Sequence, residues 1–347
     1  MIFNEARLPL GRILTVGILP SPLKKMWYRL KGYRIGKDVS FGPGSVVEIS
    51  GSCEIGDGTR FSAGAVVVGE TARFGKRVQV RTTAIVLVPH IEMGDDVIVS
   101  ESAVIRAQQP FPDSRIILGD RSHIFPYTIM DPSRPLTIGA ETAVGFGSYI
   151  FTHGAYKDKL AGYPVVHGEV TIGKGVWLPC RIFIMPGVEL GDDVVVGSGS
   201  VVTKSFPAGS FVLGEPAKLI KTREEFVARH TDEERLDILR GILEEFRIYA
   251  EHFAGAPGRM EGDVLHLDDE GRAREVHLHQ ELPVGAAAPG RLQVVLGSIS
   301  AEARRELEVA GNAWFSWSDH ACGGDLDELA LALKDYLNRY GIMFARS

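Results

Sequence analysis

From Ile172 to Val202 the chain keeps an unbroken six-residue step: Ile172, Leu178, Ile184, Leu190, Val196 and Val202. Six is the period of neither a helix nor a strand. A second row, Val176, Ile182, Val188, Val194 and Ser200, runs two residues ahead of the first. Residues two apart share one face of a strand, so each pair points one way, and Trp177 or Phe183 between them points the other. The rest of each step is rich in Gly, Asp and Pro, which form turns. A short strand and a tight turn repeated in this way cannot lie flat. They wind into the side of a prism.

The same step recurs upstream with small slips. Ile35/Phe41/Val47, Ile55/Phe61/Val67, Phe74/Val80/Val86 and Met93/Val99/Ile105 come first. After the interruption QQPFPDSR follow Leu118/Ile124/Met130 and Ile138/Val144/Ile150, then the two triplets of the opening stretch. Three hexads close one circuit, so about eight circuits are expected, stacking to roughly 35–40 Å at the strand spacing. Many row members are followed by Gly (Gly36, Gly56, Gly94, Gly139 and Gly191 among them), which suggests corners that need a residue free in φ and ψ. An end circuit has no partner on its outer side. The N-terminal segment and the region after 207 are the expected caps.

The 347 residues carry a formal net charge of −6 and no basic run, which argues against a nucleic-acid partner. Cys53, Cys180 and Cys322 fit no metal-ligand spacing and read as buried free thiols of a reducing compartment, hence a cytoplasmic protein. No apolar run approaches the ~20 residues of a membrane span. Glu5 and the lack of an uninterrupted apolar core argue against a signal peptide. Residues 8–30 mix apolar side chains with Lys24, Lys25 and Arg29, which suits either a peripheral membrane contact or a helical cap on the repeat. The cap is the reading adopted.

Four stretches are FTHGAY at 151–156, VTIGKGVWLPCRIFIMPGV at 170–188, ELGDDVVVGSGSVVTKSFPAG at 189–209 and GEPAKLIK at 214–221. With these, residues 35–221 resemble the hexapeptide-repeat acyltransferases, in the branch of galactoside, maltose and polysaccharide O-acetyltransferases. The resemblance implies an all-β left-handed parallel β-helix, against the usual right-handed crossover. It further implies a homotrimer with acetyl-CoA in the groove between subunits, and acyl transfer to a sugar or glycan hydroxyl without a metal. A histidine of that family takes the acceptor proton, as chemistry requires, because an alcohol is a poor nucleophile. His153 aligns with it, where the repeat breaks and the 16-residue segment 154–169 bulges out.

Other site candidates follow from position and resemblance. Asp131 and Glu169 are candidates by position alone to orient the imidazole, and for Asp131-Pro132 the ordinary turn starter is the preferred reading. His90, His123, Asp131 and His167 are candidates on the acceptor side, with plain structural roles open for each. Trp177 matches the family's aromatic residue beside the pantetheine and suits subunit packing equally well. Thr203 and Lys204 match the family's pair near the 3′-phosphate of coenzyme A, and Lys218 and Lys221 would add charge there. Ser198, Gly199 and Ala217 would offer backbone groups to the pantetheine arm.

After Lys221 the pattern changes. Residues 223–253 have helical periodicity, with Leu236, Ile238, Leu239, Ile242, Leu243 and Phe246 on one stripe. A Gly/Pro linker at 254–262 leads to expected strands at 263–268, 274–279 and 292–297 and helices near 301–309 and 325–339. The division expected is a cap at 1–34, the β-helix at 35–221, and a helix plus small α+β domain at 222–347. His320 and Cys322 in WSDHACGG read as packing beside Trp314 and Trp317. Transfer to an amine of a nucleotide-linked sugar, or to serine, is the alternative function. A β-helix zinc hydratase ranks low, since no two histidines of 35–221 lie closer than 14 apart. A non-catalytic scaffold also ranks low, against His153 and the Thr203–Lys204 pair.

Overall fold

The computed structural model describes residues 8–154, 157–269 and 271–346. Residues 1–7, including the Glu5 used above, and Ala155 and Tyr156 of FTHGAY lie outside the described residues, as does Glu270. The chain divides between Val227 and Ala228 into two compact units.

In the first unit each hexad becomes a strand of two to four residues, and successive strands visit three sheets in rotation. Partners come from the next circuit. On face one, Ile35 is in register with Ile55, Ile55 with Phe74, Phe74 with Met93, and so on to Ile172 and Leu190. Faces one and three hold eight parallel strands each. The row members fill the interior, and Val80, Val99, Ile124, Val144 and Leu178 have no exposed surface. Val176, Ile182, Val188, Val194 and Ser200 are buried as the two-residue offset requires, while Trp177 and Phe183 stand outward. At one inner position a hydroxyl bridges circuits: Thr142 Oγ1 donates to the Gly173 carbonyl (2.7 Å) and accepts from Val176 N–H (3.1 Å).

The glycines after the row members do not serve the purpose expected of them. None takes a left-handed φ; that conformation falls two residues later, at Asp38, Arg77, Asp96, Arg121 and Glu141 among others. What these glycines permit is contact between stacked backbones. A Cβ on Gly139 would lie 2.5 Å from the Gly173 carbonyl carbon, and one on Gly94 would lie 2.7 Å from Asp120 N.

Both ends are closed. The helix Ser21–Leu30 covers the first circuit, and its buried Lys24 Nζ donates to the Gly42 and Ser45 carbonyls (2.6 and 2.9 Å). Tyr28 and Tyr33 hydroxyls accept from Val47 and Ile49 N–H (2.9 and 2.7 Å), satisfying edge donors of the open strand. At the far end the column continues past Val202. Phe206 bridges to Leu190, and Phe211–Gly214 pairs in parallel with Val195–Val196 before Ala217–Lys221 folds back antiparallel.

The second unit is a seven-stranded mixed sheet with the helices Asp232–Ala254, Ala301–Val309 and Glu328–Asn338. Alternate residues of a strand enter different cores: Val294 and Phe315 join Leu243 and Phe246, whereas Val295 and Trp314 join Leu307. Several expectations change here. The helix read as continuous over 223–253 is two, Arg223–Phe226 and Asp232–Ala254, each opened by its own threonine, and Ile238 lies off the buried stripe. The supposed linker contains the edge strand Gly258–Glu261, and the strands Ala313–Ser316 and Ala321–Gly324 were not anticipated. Cys53 and Cys322 are buried, but Cys180 is exposed.

Candidate active site

Three consecutive circuits are enlarged at one corner, where the chain passes from face three to face one. The first enlargement is 107–114, the second Asp131-Pro132-Ser133-Arg134-Pro135, and the third the excursion after Thr152. They are stitched together. Gln109 N–H donates to Ser133 Oγ (2.9 Å), Ser114 Oγ to the Ser133 carbonyl (2.5 Å), and Arg134 N–H to Thr152 Oγ1 (2.8 Å).

Asp131 sits at the centre with no exposed side-chain surface. Its Oδ1 accepts from Ser133 N–H (3.0 Å), Ser133 Oγ (2.6 Å) and Gln108 N–H (3.2 Å). A buried carboxylate needs such donors to stay charged. Oδ2 has one neighbour of that kind, His153 Nδ1 at 3.0 Å, off the ideal hydrogen-bond line. The imidazole is only 12% exposed, and Nε2 is left without a protein partner among the described residues. A carboxylate facing Nδ1 in this way is an arrangement that can orient an imidazole as a general base through Nε2.

The placement corrects one reading of Asp131. As a buried residue it cannot meet an acceptor. It starts a turn through Ser133, and the same carboxylate also faces the imidazole. Glu169 is exposed, with no ion pair among the described residues. His167 does join the cluster: residues 153–154 and 166–167 form a short antiparallel pair, and the two histidine rings lie nearly parallel with centroids 6.2 Å apart. Phe111 packs edge-on against His167 (5.2 Å), and the Arg134 guanidinium lies 4.8 Å from the Phe111 ring. Phe111 and Arg134 were missed. The available signal was that QQPFPDSR interrupts the repeat at the same corner as the excursion.

His90 and His123 stand elsewhere. His90 opens a face-one strand, with Nδ1 2.9 Å from Thr71 Oγ1. His123 is on face two, 2.8 Å from Ser100 Oγ and stacked on Phe125, and burial pushes its pKa down to about 4. Trp177 is exposed on face two, edge-on to Phe125 at 6.3 Å. Ser198 and Gly199 form an exposed corner whose neighbour Ser200 accepts from Gly214 N–H (3.0 Å), tying it to the terminal hairpin that carries Lys218 and Lys221. A Cβ on Gly199 would meet open space. Thr203, Lys204, Lys218 and Lys221 are exposed, whereas Ala217 is buried, so only its backbone could face a ligand. Among the described residues no three His, Cys, Asp or Glu side chains are grouped to hold a metal ion.

Residues 169–204 match the family described as bacterial transferase hexapeptide (six repeats). The chain is 36% identical over 101 residues to a provisionally named acetyltransferase, YvoF, of Bacillus subtilis (strain 168), covering 29% of this chain and 55% of that one. It is 32% identical over 111 residues to the provisionally named colanic acid biosynthesis acetyltransferase WcaF of Escherichia coli (strain K12), covering 32% and 60%. To the galactoside O-acetyltransferase of the same organism it is 34% identical over 96 residues, covering 25% and 47%. The chain thus spans about half the length of the curated relatives it matches.

Proposed function

We propose that this hexapeptide-repeat protein is an acetyl-CoA-dependent O-acetyltransferase acting on a sugar hydroxyl in glycan biosynthesis. The observation that carries this reading is the His153–Asp131 pair, set at the enlarged corner of a column whose next circuits hold the family segment. The galactoside and colanic acid names of the relatives support the acceptor class.

Asp131 holds His153 through Nδ1, and Nε2 takes the acceptor's hydroxyl proton as the oxygen attacks the thioester carbonyl. The carbon–sulfur bond breaks, and the thiolate of coenzyme A leaves with the proton from Nε2, so alcohol and thioester become ester and thiol. Lys204, Lys218 and Lys221 would meet the donor's phosphates, and the Ser198–Gly199 corner would accept the pantetheine arm. The assembly proposed is a trimer of left-handed β-helices, about eight coils each, in the cytoplasm.

The test is thiol release from acetyl-CoA against a panel of sugars, nucleotide sugars and serine. General-base catalysis contributes about 10²–10⁴-fold, so His153→Ala is expected to lose turnover on that scale while still binding acetyl-CoA. Asp131→Asn should lose at least about 10²-fold, because an amide N–H facing Nδ1 reverses the tautomer. Turnover unchanged in His153→Ala would end this assignment.

A further inference from the structure

The capping helix Ser21–Leu30 is turned inside out. A surface helix ordinarily directs its apolar stripe at the core. Here the two fully buried side chains are Lys24 and Tyr28, held there by the backbone groups of the first circuit. Leu23, Met26, Trp27 and Leu30 are exposed, and Leu8, Leu10, Leu14 and Ile18 of the preceding segment are exposed with them. Leu10, Leu14, Ile18 and Leu30 each retain 65% or more of their surface. A patch of this kind is rare on a soluble surface and marks an interaction site.

Charge identifies the partner. Residues 8–31 contain five basic side chains and no acidic one, in a chain of net charge −6. Lys24 is internal, and Arg12 and Lys31 pair with Glu48 at 3.5 and 2.7 Å. Among the described residues Lys25 and Arg29 make no ion pair, and they line an open groove together with Pro22, Met26 and Leu30. Arg29 Nη2 donates only to the Ile35 carbonyl, at 3.4 Å. Leucines flanked by cations without a carboxylate partner among the described residues, with a tryptophan at the margin, have the chemistry of an interfacial segment.

We propose that this cap docks on the surface of an anionic lipid bilayer. Leu10, Leu14, Met26, Trp27 and Leu30 enter the headgroup–acyl boundary, and Lys25 and Arg29 meet lipid phosphates. The docking is independent of the acyl-transfer reading.

The experiment is flotation of the full chain with vesicles of phosphatidylcholine plus phosphatidylglycerol, against phosphatidylcholine alone. The wild type is expected to float with the anionic vesicles, with a blue-shifted emission that Trp27→Phe removes. Met26→Glu/Leu30→Glu should abolish flotation. Lys25→Gln/Arg29→Gln should weaken it about fivefold per cation removed. Lys25 is half-buried and the other substituted side chains are exposed, and unchanged thermal melting verifies that each variant is folded. The proposal is overturned if the wild type stays in the aqueous fraction, or if Met26→Glu/Leu30→Glu floats as the wild type does. It is equally overturned if that variant changes only the oligomeric mass, which would make a second copy of the chain the occupant.

Discussion

His123 and His153 show how surroundings divide one residue type. His153 faces a buried carboxylate, whereas His123 faces a hydroxyl, a phenyl ring and the positive charge of Arg81, with Glu101 in weak opposition. Burial is the main cause that holds the His123 pKa near 4, below the ordinary value of 6.5. The unfolded chain therefore takes up a proton before the folded one, and stability is lost as pH falls from about 6.5 towards 4. After allowance for partial exposure the loss is about 2 kcal/mol. His123→Gln keeps a partner for Ser100 but does not titrate, so urea unfolding at neutral and acid pH should show a smaller loss for the variant. Equal losses would refute the assignment. None of this was visible beforehand, because His123 and His153 both stand at the edge of a hexad and differ only in what the neighbouring circuits bring to them.

At the level of the element, spacing between circuits is the controlling quantity. Adjacent strands lie about 4.8 Å apart, and a methyl group does not fit between backbones where the corners touch. Gly139→Ala would place its Cβ against the Gly173 carbonyl and Lys174 N, both backbone, and should cost about 3 kcal/mol. Gly147→Ala makes a useful contrast. It has φ of 63° but its new Cβ would find only Arg181 Cγ at 3.9 Å, and Tyr127 and Arg181 hold the same conformation at equivalent corners. Its expected cost is about 1 kcal/mol, from the left-handed conformation alone. Urea midpoints of the two variants decide the matter, and equal costs would mean that the glycines serve φ after all. The break between the two helices of the 223–254 region was legible and overlooked. Thr222 with Glu225 and Thr231 with Glu234 are both capping boxes, each closing its own helix start.

At the scale of the molecule, the two units have separate cores: the column's aliphatic row shares no residue with the clusters around Leu243 and Trp314. Leu243→Ala should destabilise the second unit by about 3 kcal/mol through transfer and cavity terms. Calorimetry is expected to show one transition lowered and the column's transition unmoved; a single shifted transition would show that the units unfold together. The column could be derived from sequence because its order is local and periodic. Each hexad meets the next circuit in the same way, so a count of residues already specifies which side chains face inward. The corner carrying His153 could not be derived in that way. Asp131, His153, Phe111 and Arg134 belong to insertions that have no period, and only the stacking of three circuits brings them within reach of one another. For the same reason the seven-stranded sheet was half missed, since its short central strands are apolar on both sides and are specified by partners distant along the chain.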